Sequence, residues 1–165
     1  MTEQHKRVDD SVRLTAGAPD PAALEWISRV GASVTGALAS WDQGRLVDVP
    51  VGTAWDVVRL PRALGWKTVT QMRHAGTPVG PVQHTPDGVE VLVPVGSAAR
   101  WELPDVEVLT EGDLVAVPHP AMVAPHTQMG HTWIVSPQEF GPVTDADLLY
   151  EAYTAALALH RGGAR

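Results

Sequence analysis

Two neighbouring stretches decide the predicted fold: AWDVVRLPRALGWKTVTQMRHAGTPVGPVQHTPDGVEVLVPVG (residues 54–96) and WELPDVEVLTEGDLVAVPHP (residues 101–120). The first stretch begins with the Val-rich run Ala54–Leu60, which is typical of a buried strand. Pro61 then opens a predicted helix, and Gly76 is placed to end it. We therefore expect a strand that leads directly into a helix.

The residues that follow this helix predict mainly β-structure. Val79–His84 and Val89–Val95 form a predicted hairpin, because Pro86-Asp87-Gly88 between them has suitable turn chemistry. Val106–Leu109 and Leu114–Val117 are predicted to pair with each other. The other predicted elements are a helix from Asp20-Pro21 toward Trp41, strands at Arg45–Pro50 and Thr132–Val135, and a helix from about Thr144 to His160 with Thr144 and Asp147 as a capping box. This order predicts an α+β fold, in which helices flank a mixed or antiparallel sheet.

Composition and charge narrow the class of protein. A chain of 165 residues with 44% hydrophobic and 19% charged residues can bury a core, which excludes wholesale disorder. We expect a flexible arm at residues 1–18 and a single domain at residues 19–165. The absence of Cys excludes disulfides and thiolate metal sites. No apolar run approaches the ~20 residues of a membrane span, and the first residues lack the apolar core of a signal peptide. A cytoplasmic protein without a membrane partner is expected.

The order of four segments resembles one known family. WDVVRLP, GPVQHTPDGVEVLVPVG, GDLVAVPHP and HTWIVSP together resemble the bifunctional DNA primase/polymerase N-terminal (prim-pol) domain, in particular its short actinobacterial versions. The resemblance covers roughly residues 41–137 and implies a primase-type palm that binds nucleoside triphosphate and template. Active relatives carry an Asp-x-Asp or Asp-x-Glu pair on the first central strand, a later third acid and a His after the TP-x-G turn. The carboxylates hold the two metal ions of phosphoryl transfer.

Carried over residue by residue, the resemblance implies an incomplete metal site. Asp56 matches the first acid, but Val58 cannot ligate Mg²⁺ and Arg59 would repel it. Glu90 matches the family His, and Glu107 is a loose match to the third acid. The resemblance therefore implies a binding or regulatory domain that has lost catalysis and needs no metal cofactor. The ancestral pocket would contain Asp56, Arg59, Glu90 and Glu107, and Arg59 would replace the lost cations by gripping the phosphate of a nucleotide or of DNA.

The predicted second helix carries a separate basic patch. Arg62, Lys67 and Arg73 stand in a chain of formal net charge −7, so nucleic-acid contact would have to be local. Trp66 would offer a stacking surface for a base. This patch predicts a phosphate or nucleic-acid site, although a solvated helix face with a half-buried Trp explains the same residues.

Two other functions stay open at this point. If Asp56, Glu90 and Glu107 formed a rearranged cluster that holds Mg²⁺ or Mn²⁺, the chain would be an active nucleotidyltransferase. If the sheet and its Trp side chains formed an interface, the chain would be a homodimer or bind a protein partner, with no nucleic-acid role.

A Pro-rich loop also contains three His residues. His119, His126 and His131 would bind Zn²⁺ if the loop folded back on itself. Their spacing matches no regular metal-binding pattern and a fourth ligand is missing, so a polar surface loop is the favoured interpretation.

Overall fold

A computed structural model describes residues 21–137 and 142–163, so the predicted arm at residues 1–18 lies outside the described residues. The described part contains helices on both sides of short strands. In chain order the elements are α1 (Pro21–Arg29), α2 (Val34–Asp42), β1 (Val47–Pro50), β2 (Asp56–Leu60), α3 (Arg62–His74), β3 (Val82–Thr85), β4 (Gly88–Val93), β5 (Glu107–Leu109), β6 (Leu114–Val117), β7 (Thr132–Val135) and α4 (Ala146–Gly163).

The strands form two antiparallel sheets. The larger sheet has the order β5-β2-β4-β3-β7, and β1 pairs with β6 in a separate two-stranded sheet. The predicted α+β class, with an antiparallel sheet and flanking helices, is confirmed. None of the helices in the described part of the chain combines the length and the apolar character that crossing a membrane requires.

The predicted pairing of Val106–Leu109 with Leu114–Val117 is wrong. The first segment contributes β5, which pairs with β2, whereas the second forms β6 and pairs with β1. The backbone NH of Val51 donates to the carbonyl of Asp113 (3.0 Å), which fixes the start of β6 beside the end of β1. A turn signal between two strands predicts a change of direction, but each strand pairs where an open sheet edge is available.

The larger sheet has a buried cluster on each face. Because side chains alternate along a strand, Val58 and Leu60 of β2 pack toward α3 and α4, whereas Val57 packs toward α1, α2 and the two-stranded sheet. Gly65 allows α3 to approach β4 closely, since a Cβ there would lie 2.5 Å from Cβ of Val89. The two faces of β2 therefore pack into two separate hydrophobic clusters.

Two helix boundaries differ from the sequence prediction. The first predicted helix is interrupted after Arg29, and α2 begins with its own cap, in which Ser33 Oγ accepts from the backbone NH of Gly36 (3.0 Å). A positive φ of 82° at Gly31 permits the break.

The predicted capping box of Thr144 and Asp147 is also wrong. Asp145 caps α4, because its Oδ1 accepts from the NH groups of Asp147 and Leu148. Thr144 is buried and its hydroxyl accepts from the NH of Gly80 (2.9 Å), so this side chain ties the start of α4 to the chain before β3.

Candidate functional site

Three of the four predicted pocket residues meet on one face of the larger sheet. Strand β2 lies between β4 and β5, and the register places Arg59 opposite both Glu90 and Glu107. Arg59 donates from Nε (2.9 Å) and Nη2 (2.7 Å) to Glu90 Oε2, and from Nη1 to Glu107 Oε2 (2.7 Å). We call Arg59, Glu90 and Glu107 the Arg59 cluster.

Burial is uneven across the Arg59 cluster. The side chain of Glu90 is 4% exposed, that of Arg59 22% and that of Glu107 62%. Gln83 Nε2 donates to the other carboxylate oxygen of Glu90 (2.7 Å) and to the carbonyl of Ala116 on β6 (3.0 Å). The cluster therefore runs from a buried end beneath the two-stranded sheet to an open end at β5.

The two carboxylates of the Arg59 cluster stabilise the charged form of Arg59. Burial acts to lower the pKa of Arg59, but the hydrogen bonds and the negative charges of Glu90 and Glu107 outweigh it and raise that pKa above its ordinary value. Two carboxylates and one guanidinium leave a net negative charge. A phosphate would reach Arg59 only by displacing a carboxylate, so this geometry does not favour the predicted phosphate grip.

Asp56 does not join the Arg59 cluster. It lies three residues before Arg59 on the same strand, and alternation places it on the opposite face, beside Val58. It is buried, and its Oδ2 accepts from the backbone NH of Gly96 (2.8 Å), while Oδ1 has no hydrogen-bond partner among the residues that the structure describes. The predicted grouping of Asp56 with Glu90 and Glu107 around one ligand or metal is therefore not formed.

The three His residues of the loop are also separated. His119 is buried against Trp41, with ring centroids 5.4 Å apart, and its Nδ1 accepts from the NH of Ala121. Burial lowers the pKa of His119. His126 is exposed, and His131 lies just before β7. Within residues 21–137 and 142–163, no three His, Asp or Glu side chains are grouped so that they could hold a metal ion.

The basic patch lies along α3, with Lys67 about 100° around the helix from Trp66. Arg62, Lys67 and Arg73 are exposed, and Trp66 is half-buried. At 100° per residue, Arg62, Trp66 and Arg73 project within about 40° of one another, along about 16 Å of helix. We call these four residues the α3 stripe. In the described part of the chain, ion pairs are made by Arg29 and Arg59, and none by the cations of the stripe.

A cavity and a backbone contact mark the C-terminal end of the α3 stripe. Arg73 donates weakly to the carbonyl of Ile134 on β7 (3.4 Å). Thr70, Arg73 and His74 line an open cavity of about 300 Å³. All three side chains offer hydrogen-bond donors at this end of the helix.

Sequence reasoning missed one residue of this surface, His84. Trp66 Nε1 donates to His84 Nδ1 (2.9 Å), with the two rings tilted by 45°. Burial lowers the pKa of His84, and the positive charges of Arg62 and His131 lower it further. No rule of sequence spacing predicts a contact between Trp66 on a helix and His84 on a strand, 18 residues apart. The sequence indicated only that β3 follows α3 directly along the chain.

Comparison with known proteins adds no relative. No protein-family model matches the chain, no curated protein is significantly similar to it, and no solved structure matches it. Function is therefore inferred from the residues and their arrangement.

Proposed function

We propose that this chain is a non-catalytic, prim-pol-like binding domain that contacts single-stranded nucleic acid through the α3 stripe and acts in DNA or nucleotide transactions in the cytoplasm. One observation carries the proposal. In a protein of net charge −7, three exposed cations share one helix with a half-buried Trp and have no ion-pair partner among the described residues.

The Arg59 cluster supports the loss of catalysis. Metal-binding carboxylates would have to share the sheet face of Glu90 and Glu107, and alternation places Val57 and Arg59 of β2 on that face. Neither side chain ligates a divalent cation. The guanidinium also bridges the two remaining carboxylates, where a cation would have to bind. Two-metal phosphoryl transfer then lacks its ligands, and the domain needs no metal cofactor.

The environment of the α3 stripe supports phosphate binding. Because no carboxylate among residues 21–137 and 142–163 pairs with its cations, they keep their attraction for an anionic chain, unlike Arg59. The stripe is about 16 Å long, which corresponds to four or five phosphates at the ~3.4 Å rise of a stacked strand. Trp66 lies between Arg62 and Arg73 along the helix axis, so a base of the same strand can stack on its exposed part.

The test is the salt dependence of binding to a dye-labelled oligothymidylate, measured by fluorescence anisotropy. Three phosphate contacts to a single strand predict a slope of log K against log salt near −2. The triple variant Arg62→Ala, Lys67→Ala, Arg73→Ala should lose most of this binding. The matched control Arg45→Ala, Arg100→Ala, Arg161→Ala removes the same charge from exposed positions elsewhere and should keep it.

Two results would refute the proposal. Equal weakening by the triple variant and its control would show that net charge, not the α3 stripe, governs binding. A stable dimer that ignores DNA at low salt would favour the interaction scaffold instead, and nucleotide incorporation with Mg²⁺ or Mn²⁺ would overturn the non-catalytic assignment.

A further inference from the structure

Nitrogen donors from three elements converge at the N-terminal end of the α3 stripe. Trp66 fixes the ring of His84 on β3. Thr132 pairs with His84 across the β3–β7 ladder, so His131, one residue earlier, lies at the same end of the sheet. Arg62 lies one helical turn before Trp66, about 6 Å along the same face. The charges of Arg62 and His131 reach His84, and no carboxylate in the described part of the chain offsets their effect on it.

Hydrogen-bond roles fix the protons of the two rings. Trp66 Nε1–H can only donate, so His84 Nδ1 accepts and the proton of the neutral ring is on Nε2. The carbonyl of Met129 can only accept, so His131 donates from Nδ1 (3.1 Å). No group of the described residues accepts from His84 Nε2–H or pairs with Arg62. Two donors are therefore open to a ligand, and Nε2 of His131 becomes a third when that ring is protonated.

We propose that Arg62, His84 and His131 bind the phosphate group of a phosphomonoester, and that this group is the 5′-phosphate end of a strand lying along the α3 stripe. The location of the strand rests on the proposed function, whereas the phosphate site itself does not. The charges of Arg62 and His131 both act on His84, and no carboxylate of the described residues offsets them. A phosphomonoester carries close to two negative charges and three acceptor oxygens, so it offsets these charges better than an internal phosphodiester. Trp66 adjoins the site and can stack on the attached base.

The first test is a titration with inorganic phosphate, followed by NMR of the His rings and of the Trp indole NH groups. Phosphate should raise the pKa of His84 saturably and shift the indole NH of Trp66. Arg62→Gln should weaken phosphate binding about tenfold, the loss of one charge-assisted hydrogen bond at an exposed position. His160→Gln, an exposed His at the end of α4, should leave it unchanged.

The variants keep the inference testable even if one of them folds poorly. His84→Gln should abolish the phosphate-induced shift of the Trp66 indole NH, and Arg62→Gln tests the same site from an exposed position. A pKa of His84 that does not move with phosphate, or that moves equally with sodium chloride at the same ionic strength, would overturn the site.

The second test compares 5′-phosphorylated and 5′-hydroxyl oligonucleotides with a free nucleoside monophosphate. About tenfold tighter binding of the phosphorylated strand, lost in Arg62→Gln, supports the assignment to a strand end. Equal binding of the phosphorylated and the hydroxyl oligonucleotide overturns that assignment. Competition by the free nucleoside monophosphate would then identify this mononucleotide as the source of the phosphate. If DNA binds but phosphate does not change the pKa of His84, the phosphate site is refuted and the proposed function is kept. If phosphate binds but DNA does not, the proposed function is refuted and the phosphate site is kept.

Discussion

Replacing Arg59 by Met should destabilise the fold because it leaves the buried carboxylate of Glu90 without its cationic partner. Glu90 would keep its hydrogen bond from Gln83 Nε2 but lose both contacts from the guanidinium. Removing one partner of a buried ion pair costs about 3–5 kcal/mol. Because Arg59 retains 22% of its side-chain exposure, water can partly replace it, and the expected loss of unfolding free energy is about 2–3 kcal/mol.

Two further variants separate the buried pair from the exposed one. Glu107→Gln should cost less than about 1 kcal/mol, because its carboxylate is 62% exposed and already solvated. The double variant Arg59→Met, Glu90→Leu removes both buried charges together and should recover most of the loss of the single Arg59 variant.

The assay is urea unfolding at neutral pH, with the unfolding free energy obtained by linear extrapolation. A loss of about 2–3 kcal/mol corresponds to a fall in Tm of roughly 4–12 °C for a chain of this size. Similar losses for Arg59→Met and Glu107→Gln, or a double variant no more stable than Arg59→Met alone, would refute the reasoning. Either result would mean that Glu90 does not depend on Arg59 for its stability in the core.

Three other predictions concern single contacts. Gly65→Ala should cost about 1–3 kcal/mol of unfolding free energy, because its Cβ would meet Val89 at 2.5 Å; Gly162→Ala on α4, where nothing lies within 4 Å, should be neutral or slightly stabilising, and equal losses would contradict this packing. Asp145→Ala should cost about 1 kcal/mol through the lost cap, measured by the same urea titration, and an unchanged midpoint would argue against it. Burial lowers the pKa of His119 below its ordinary 6.5, so its contribution to stability is complete above that pH and is lost as the pH falls through the folded-state pKa; His119→Gln should flatten the acid limb of the stability curve, and an unaltered limb would count against it.

Local patterns predicted most of the elements between β1 and β7. The hairpin of β3 and β4 follows from Pro86-Asp87-Gly88, and α3 follows from Pro61 and Gly76, because these residues restrict the backbone where they stand. The pairing of the strands was harder to predict from the sequence. The choice of β2 by β5, and of β1 by β6, depends on which sheet edges stay open after the other strands have paired.

The candidate site shows the same division between local and long-range information. That Asp56 and Arg59 lie on opposite faces of one strand was already present in the sequence, since three residues is an odd number of steps in a period of two. The contact of Arg59 with Glu107, 48 residues away, and that of Trp66 with His84 required the fold. Spacing alone does not bring such pairs together.

Arg59 and Arg62 illustrate why residue type alone does not identify a phosphate site. They are three residues apart and carry the same charge, but two carboxylates hold the first within the sheet, while the second projects from a helix with no acidic partner among the described residues. The attraction of Arg59 for an anion is offset by its two carboxylate neighbours, whereas no carboxylate of the described residues pairs with Arg62. Two carboxylates occupy Arg59, and none of the described residues pairs with Arg62, which is why we propose α3 rather than the Arg59 cluster as the anion-binding surface.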